Sequence, residues 1–297
     1  MENLLPTAMS VNSQPGGLVK WMDRALECAA SVERTFGADD VHDLRVALRR
    51  CRTIAAALSE VHPSPGWRKL KRISRPLFRA LGDLRDVQVQ RIWLKKLAPP
   101  GDPLRRHLLL RLAHQERDCR EKVEKALGRF DRKAWRKLGR KLEPKAASFP
   151  QESVVFERLA LVRLNAAIHL YQQARRRRSS IAWHRVRIAL KEFRYVVANF
   201  LPRRYQAWGA DLKTCQDLLG EVHDLDVLRA ETHKASGVFD VTETAKWRER
   251  IEDERQARLR KFIARMSGPG SLWLSWRKGL PWSSSLVDAP VPARRTA

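Results

Sequence analysis

HDLRVALRRCR, from His42 to Arg52, and HRVRIALKEFR, from His184 to Arg194, decide how this chain is read. The two stretches lie 142 residues apart, and five of their eleven positions are identical: His42/His184, Arg45/Arg187, Ala47/Ala189, Leu48/Leu190 and Arg52/Arg194. Val46/Ile188, Leu44/Val186 and Arg49/Lys191 keep their chemical type. Further on, LGDLRDVQV from Leu81 aligns with LGEVHDLDV from Leu219 at an offset of 138, and at that offset Arg117, Arg120 and Trp135 meet Arg255, Arg258 and Trp273. Several matches in one order with nearly one offset read as duplication of a single module.

Both stretches carry the helical period. At about 100° per residue, His42, Arg45, Arg49 and Arg52 share one stripe, while Leu44, Leu48, Cys51, Ala55 and Leu58 form another about 120° away. His184, Arg187, Lys191 and Arg194 repeat the cationic stripe beside Val186, Leu190 and Phe193. No acid stands at i+3 or i+4 within either stripe. A surface helix ordinarily gains a few tenths of a kcal/mol from each such pair, and a like-charged row forgoes it. Recurrence of that row turns the reading from a solvated face to an anion-binding wall. Arginine suits it, since its planar fork grips two phosphate oxygens and keeps its charge. The histidines are expected to be held neutral by their cationic neighbours and charged by a bound polyanion, so affinity should rise from about pH 8 to 6.

The rest of the chain has the same character. Spacings of 3 and 4 between apolar residues dominate and strand-like alternation is scarce, so the expected class is all-α. Punctuation places helices at about 18–36, from the capping candidates Asp39 and Asp40 to before His62, at 67–81 with a bend at Pro76, and at 83–97, 103–127 and 132–142. Residues 148–151 read as a linker between two modules, 18–147 and 152–278. Residues 1–17 read as a disordered leader and 283–297 as a disordered tail. The third helix adds Arg68, Arg72, Arg75 and Arg79 beside Leu70, Ile73, Leu77 and Leu81; in the second copy Lys213 alone keeps a positive charge, at the Arg75 position, with Gln206, Ala210 and Asp217 at the other three. The two walls are therefore expected to be unequal, the stronger in the first copy. Arg117/Arg255 and Arg120/Arg258 read as a solvated face. Asp86 and Asp224 read as helix caps or arginine partners.

The 297 residues hold 59 Lys+Arg against 33 Asp+Glu, a formal charge of +26 that a polyanion would relieve. Hydrophobic residues at 43% can build a core, which argues against a disordered chain. No apolar run approaches the ~18–20 residues of a membrane span. Cys28, Cys51, Cys119 and Cys215 form no C-x-x-C pair and fit buried apolar positions, as expected in a reducing cytosol. Phosphate-loop, zinc-protease and nucleophile-elbow motifs are missing, so neither catalysis nor a metal or cofactor is expected. The ten tryptophans mostly occupy apolar helical positions.

The pattern His-x-x-Arg-Val/Ile-x-x-Arg/Lys-x-x-Arg, followed some forty residues later by Leu-Gly-x-x-x-Asp and then repeated, resembles the CHAD domain, the conserved histidine α-helical domain. The resemblance covers about residues 18–278. It implies two four-helix bundles about a pseudo-twofold axis, a basic central groove or pore, and binding of inorganic polyphosphate, in several bacteria on cytoplasmic polyphosphate granules. The residues it marks here are His42, Arg45, Arg49, Arg52, His184, Arg187, Lys191, Arg194 and Lys213, to which the third-helix stripe adds Arg72, Arg75 and Arg79. No triphosphate-tunnel domain is legible beside them. The alternative is a basic helical protein that binds nucleic acid non-specifically.

Overall fold

The computed structural model of the chain describes residues 17–234 and 239–280. The expected leader, apart from Gly17, and the expected tail lie outside the described residues. Those residues form ten helices: α1 Leu18–Thr35, α2 Ala38–Val61, α3 Pro65–Leu97, α4 Pro103–Gly128, α5 Arg132–Ala147, α6 Val154–Arg177, α7 Ser180–Phe200, α8 Pro202–Lys234, α9 Val241–Met266 and α10 Leu272–Lys278. No strand occurs among them, and the all-α reading holds.

Local chemistry sets the helix ends. Ser64, Asp102, Asp131 and Ser179 accept hydrogen bonds from the backbone N–H groups of Gly66, Arg105, Ala134 and Ala182, and Pro65 and Pro103 open α3 and α4 with no N–H to satisfy. α1 and α6 stop at Phe36 and Arg178, both left-handed with φ of 48° and 51°. The α2 cap is Gly37, not Asp39 or Asp40, which sit in the first turn and favour it through the helix dipole.

Two expected boundaries change. α3 is one helix of 33 residues running through Pro76 and Gly82, where two were expected. Pro76 is exposed, so water can satisfy the carbonyl that loses its partner, while Trp67, Leu70, Leu77, Leu81, Leu84 and Leu94 are buried along the length. α8 is also 33 residues long. α5 continues past Leu142 and through Pro144, also exposed.

Helices α1 to α4 pack successively, with α5 laid across α1 and α3; α6 to α9 repeat the order, with α10 against α6 and α9. The two sets meet where α2 packs on α7 and α3 on α8. Each buries its expected face: Leu44, Leu48, Cys51 and Leu58 on α2; Val186, Leu190 and Phe193 on α7. All four cysteines are buried free thiols. Trp67, Trp135, Trp247 and Trp276 are fully buried, in keeping with a core role. The 148–151 connection is anchored by the next residue: the Glu152 N–H donates to Phe200 O at 2.9 Å and its carboxylate pairs with Arg204.

Asp102 ties the sets together. It caps α4, accepts from Trp247 Nε1 of α9 at 3.0 Å and pairs with Arg250 at 3.3 Å. Removing the carboxylate loses a cap and strands a buried indole N–H. Asp102→Ala should therefore lower unfolding stability by about 2 kcal/mol, and Asp102→Asn by less than half as much. Urea unfolding of the two variants checks this.

Candidate anion-binding site

Helices α2 and α7 carry their cationic stripes into one cluster. Arg49 feels the charges of Arg45, Arg194 and Arg187, and Lys191 those of Arg49, Arg187 and Arg45. The second stripe is thus brought against the first, not turned to a separate surface. The contact is fixed beside the cations: Arg50 donates to Asn199 Oδ1 at 2.9 Å, and Asn199 Nδ2 donates to Thr53 at 3.3 Å. Arg163 of α6 reinforces it by pairing with Glu60 of α2 and Glu192 of α7.

Among the described residues no carboxylate lies within ion-pair distance of Arg45, Arg49, Arg187 or Lys191. Arg45 Nε, Arg49 Nε and the Tyr195 hydroxyl are buried without a hydrogen-bond partner. The Arg49 guanidinium and the Lys191 ammonium lie 5.7 and 5.9 Å from the Tyr195 ring centre, a cation–π arrangement that partly offsets the lost water. The offset is incomplete. Burial, then Arg49, Arg187 and Arg45, pushes Lys191 down to about 7, and burial also lowers Arg49. Buried donors converging without acceptors are what a set of phosphate oxygens would satisfy.

Asp86 and Asp224 stand near the same cluster, in mid-helix rather than at helix starts, so they cap nothing. Burial raises both, Asp224 to about 6, against the opposing pull of Arg45, Arg187 and Lys191 on Asp86 and chiefly of Arg187 on Asp224. Each also raises or is raised by a nearby carboxylate, and Asp224 feels Asp86 directly. They soften the positive potential without pairing with any one cation.

The remaining stripe members have other tasks. Arg52 donates to Lys71 O at 2.6 Å and to Ser74 Oγ at 3.0 Å, and lies 5.0 Å over the Phe78 ring. Arg194 donates to Gln216 at 2.8 Å, and the nearby Arg194 and Arg50 guanidinium groups hold the Tyr205 phenol below its usual value although burial would raise it. Gln216 stands 138 residues after Phe78, so Arg52 and Arg194 reach matching places on α3 and α8. Both stripe ends thus spend part of their donors inside the fold. Arg72, Arg75 and Arg79 are exposed on α3, and Arg75 and Arg79 lower Arg52. Lys213 is exposed and pairs with Asp217 at 2.7 Å.

His42 and His184 flank the cluster. Both are lowered from the ordinary 6.5, primarily by burial and then by Arg85 and Arg49 for His42, and by Arg187 for His184. The expected direction holds, but desolvation leads and the cations follow. His42 and Asp86 reach water, yet each has enough protein around it to make its charge costly. His184 Nδ1 lies 3.2 Å from Nδ1 of His223, itself pushed down to about 4 by burial and by Arg187, His184 and Lys191. Arg85 and His223 are also 138 apart, and they act on His42 and His184 respectively.

Sequence reasoning missed Tyr195, Arg50, Arg85 and the closeness of Asp86 to Asp224. Tyr195 had a signal, as the next i+4 position after Arg187 and Lys191. The other three depend on packing between the sets. The expected solvated face is overturned in α9, where Arg255 is only 3% exposed and bonds Asp226 at 2.8 Å, and Arg258 pairs with Glu221 and Glu254. Two hollows of about 460 and 390 Å³ are lined by none of Arg45, Arg49, Arg187 or Lys191. No group of residues suited to holding a metal ion occurs among the described residues, and no described helix is long and apolar enough to cross a membrane.

No curated protein matches the sequence. Among solved structures, the crystal structure of the CHAD domain from the plant Ricinus communis is similar, with a TM-score of 0.59, 21% identity and 90% of each chain covered; at that identity the likeness speaks for the fold. The CHAD domain family model matches residues 20–233, well over half of the sequence and spanning both repeated stretches. This chain belongs to the CHAD domain family.

Proposed function

We propose that the protein binds inorganic polyphosphate without turning it over, and that this holds it at polyphosphate granules. One observation carries the reading: Arg45, Arg49, Arg187 and Lys191, from two helices, crowd together with buried donors unsatisfied and no carboxylate paired to them. Polyphosphate is the polyanion with the closest-spaced phosphates and no bases to accommodate, so a narrow convergence of guanidinium groups suits it better than a duplex. Family membership adds to this, because polyphosphate binding is associated with CHAD domains. We read the chain as two copies of one module, with 18–147 supplying Arg45 and Arg49 and 152–278 supplying Arg187 and Lys191. His42 and His184 add charge at the flanks, Arg52 and Arg194 hold the helices in place, and Arg72, Arg75, Arg79 and Lys213 contribute at a distance.

Binding should be electrostatic, weakening linearly in log–log form as salt rises. Arg45→Gln/Arg49→Gln/Arg187→Gln should stay helical and bind polyphosphate about 100-fold more weakly, a loss on the order of 3 kcal/mol in charge-assisted hydrogen bonds. Arg72→Gln/Arg75→Gln/Arg79→Gln should lose less than about 5-fold, reflecting screening at exposed positions. Titration of both variants by calorimetry decides, and equal losses would remove the cluster from its central place.

The pH dependence has a defined sign. A bound polyanion favours protonated Lys191, so its value in the complex lies above the free value of about 7. Affinity should therefore rise as pH falls from about 9 toward 7, the lowered histidines adding a further rise below 6.5. Lys191→Met should flatten the upper part and leave the lower. In the unbound protein the lowered value means the unfolded chain binds more protons between 7 and 10.5, so stability should increase with pH across that window. Lys191→Met should stabilise the unbound protein at pH 7 by about 1 kcal/mol while weakening binding. Thermal unfolding across pH checks the second pair of expectations.

A further inference from the structure

Helix α5 carries a second cationic surface that the cluster does not use. Lys133, Lys137, Lys141 and Lys145 recur every four residues, and Arg136 and Arg140 form the neighbouring stripe; all six are exposed. Among the described residues no carboxylate pairs with any of them, whereas Arg132 at the start of the helix pairs with Glu33. Glu143 is the one acid within the helix. Like charges at i,i+4 destabilise a helix, so the row works against α5 unless something binds it.

The rest of the fold fixes the direction in which this row points. Trp135, Leu138, Gly139 and Leu142 are buried, Trp135 Nε1 donates to Met22 O at 3.0 Å, and the Met22 side chain lies 3.4 Å from where a Gly139 Cβ would stand. With that face locked against α1, the cations must look outward. Leu142 also packs on Gly66 at the start of α3, whose exposed Arg68 and Lys69 extend the basic surface. The second set has no equivalent, since α10 has only 7 residues.

We infer that the outward face of α5 is a docking surface for the phosphate backbone of double-helical nucleic acid, separate from the α2–α7 cluster and independent of the polyphosphate reading. Four lysines at 1.5 Å rise per residue span about 18 Å, roughly five base pairs of duplex at 3.4 Å each. Lysine is a point charge on a flexible stem and follows a phosphate path without demanding a fixed angle. A duplex holds its phosphates on a set curve, so it can meet four ammonium groups at once without the ordering cost a flexible linear polyanion incurs. Single strands bind through stacking on aromatic side chains, and the only aromatic residue of α5, Trp135, is fully buried. An anionic membrane would call for apolar side chains to insert, and the outward face of α5 offers none.

The test is fluorescence anisotropy of a labelled duplex of about 20 base pairs with the full chain over a salt series, beside titration with a short polyphosphate. Lys133→Gln/Lys137→Gln/Lys141→Gln/Lys145→Gln should bind duplex at least ~30-fold more weakly near 0.1 M salt and lower the log–log salt slope by about 3 to 4. Its polyphosphate affinity should stay within about twofold, since the changed residues lie outside the cluster. Glutamine keeps helix propensity, and unchanged circular dichroism confirms that binding alone was altered. Duplex binding retained within threefold by this variant would overturn the inference. So would one-for-one displacement of duplex from the unmodified protein by short polyphosphate, or tighter binding to phosphatidylglycerol vesicles than to duplex with the same dependence on the four lysines. Failure of the unmodified protein to bind polyphosphate would sink the earlier reading and leave this one standing.

Discussion

Like charges are held together here by packing that would otherwise have no reason to tolerate them. Two unit charges about 6 Å apart repel by roughly 3 kcal/mol at an effective dielectric of about 20, and Arg45, Arg49, Arg187 and Lys191 oppose one another's charge in this way. What opposes this is the apolar face beneath each stripe. Leu44, Leu48 and Leu58 on α2, with Val186, Leu190 and Phe193 on α7, are buried, each contributing about 1.5–3 kcal/mol relative to exposure. The helices are held by one side and repelled at the other. Stability is given up at the site and recovered in the core, the trade commonly seen where a protein must bind rather than merely fold.

The same tension explains the unusual acid–base chemistry. A lysine in water keeps its proton to about 10.4, but Lys191, desolvated and facing three guanidinium groups, holds it only to about 7. Arginine in that place cannot yield its charge, so the single lysine among the central four is where the cluster can relax by releasing a proton. The carboxylates respond in the opposite sense: Asp224, raised to about 6, remains close to Asp86 because cations on both stripes compensate. The two helix sets are thus similar in plan and unequal in chemistry. Arg49 answers to Lys191, Arg85 to His223 and Phe78 to Gln216, and each difference alters how much charge its half can keep.

Much of this was legible in the residues. The all-α class, the buried side of α2 and α7, and the cationic row beside it follow from spacing alone, because a helix brings i, i+3, i+4 and i+7 to one side whatever surrounds it. The continuity of α3 was not legible, since Pro76 and Gly82 are local stop signals and only the apolar surface under the whole 33 residues outweighs them. Asp86 and Asp224 looked like caps for the same reason: the helix breaks they would have capped do not exist.

What the sequence determined by itself is which residues share a stripe and what each stripe can bind or bury, a matter of helical geometry and side-chain chemistry. Which stripe members meet was decided by tertiary structure. Arg45 and Arg49 face Arg187 and Lys191, whereas Arg52, equally well placed on the wheel, turns to Ser74 on the next helix, and Arg194 divides between Arg49 and Gln216. The packing of α2 on α7 makes that choice. Two helices that cross are close over only part of their length, so residues on one stripe divide between the crossing and its ends, and no spacing rule within a helix contains the place where another helix will lie.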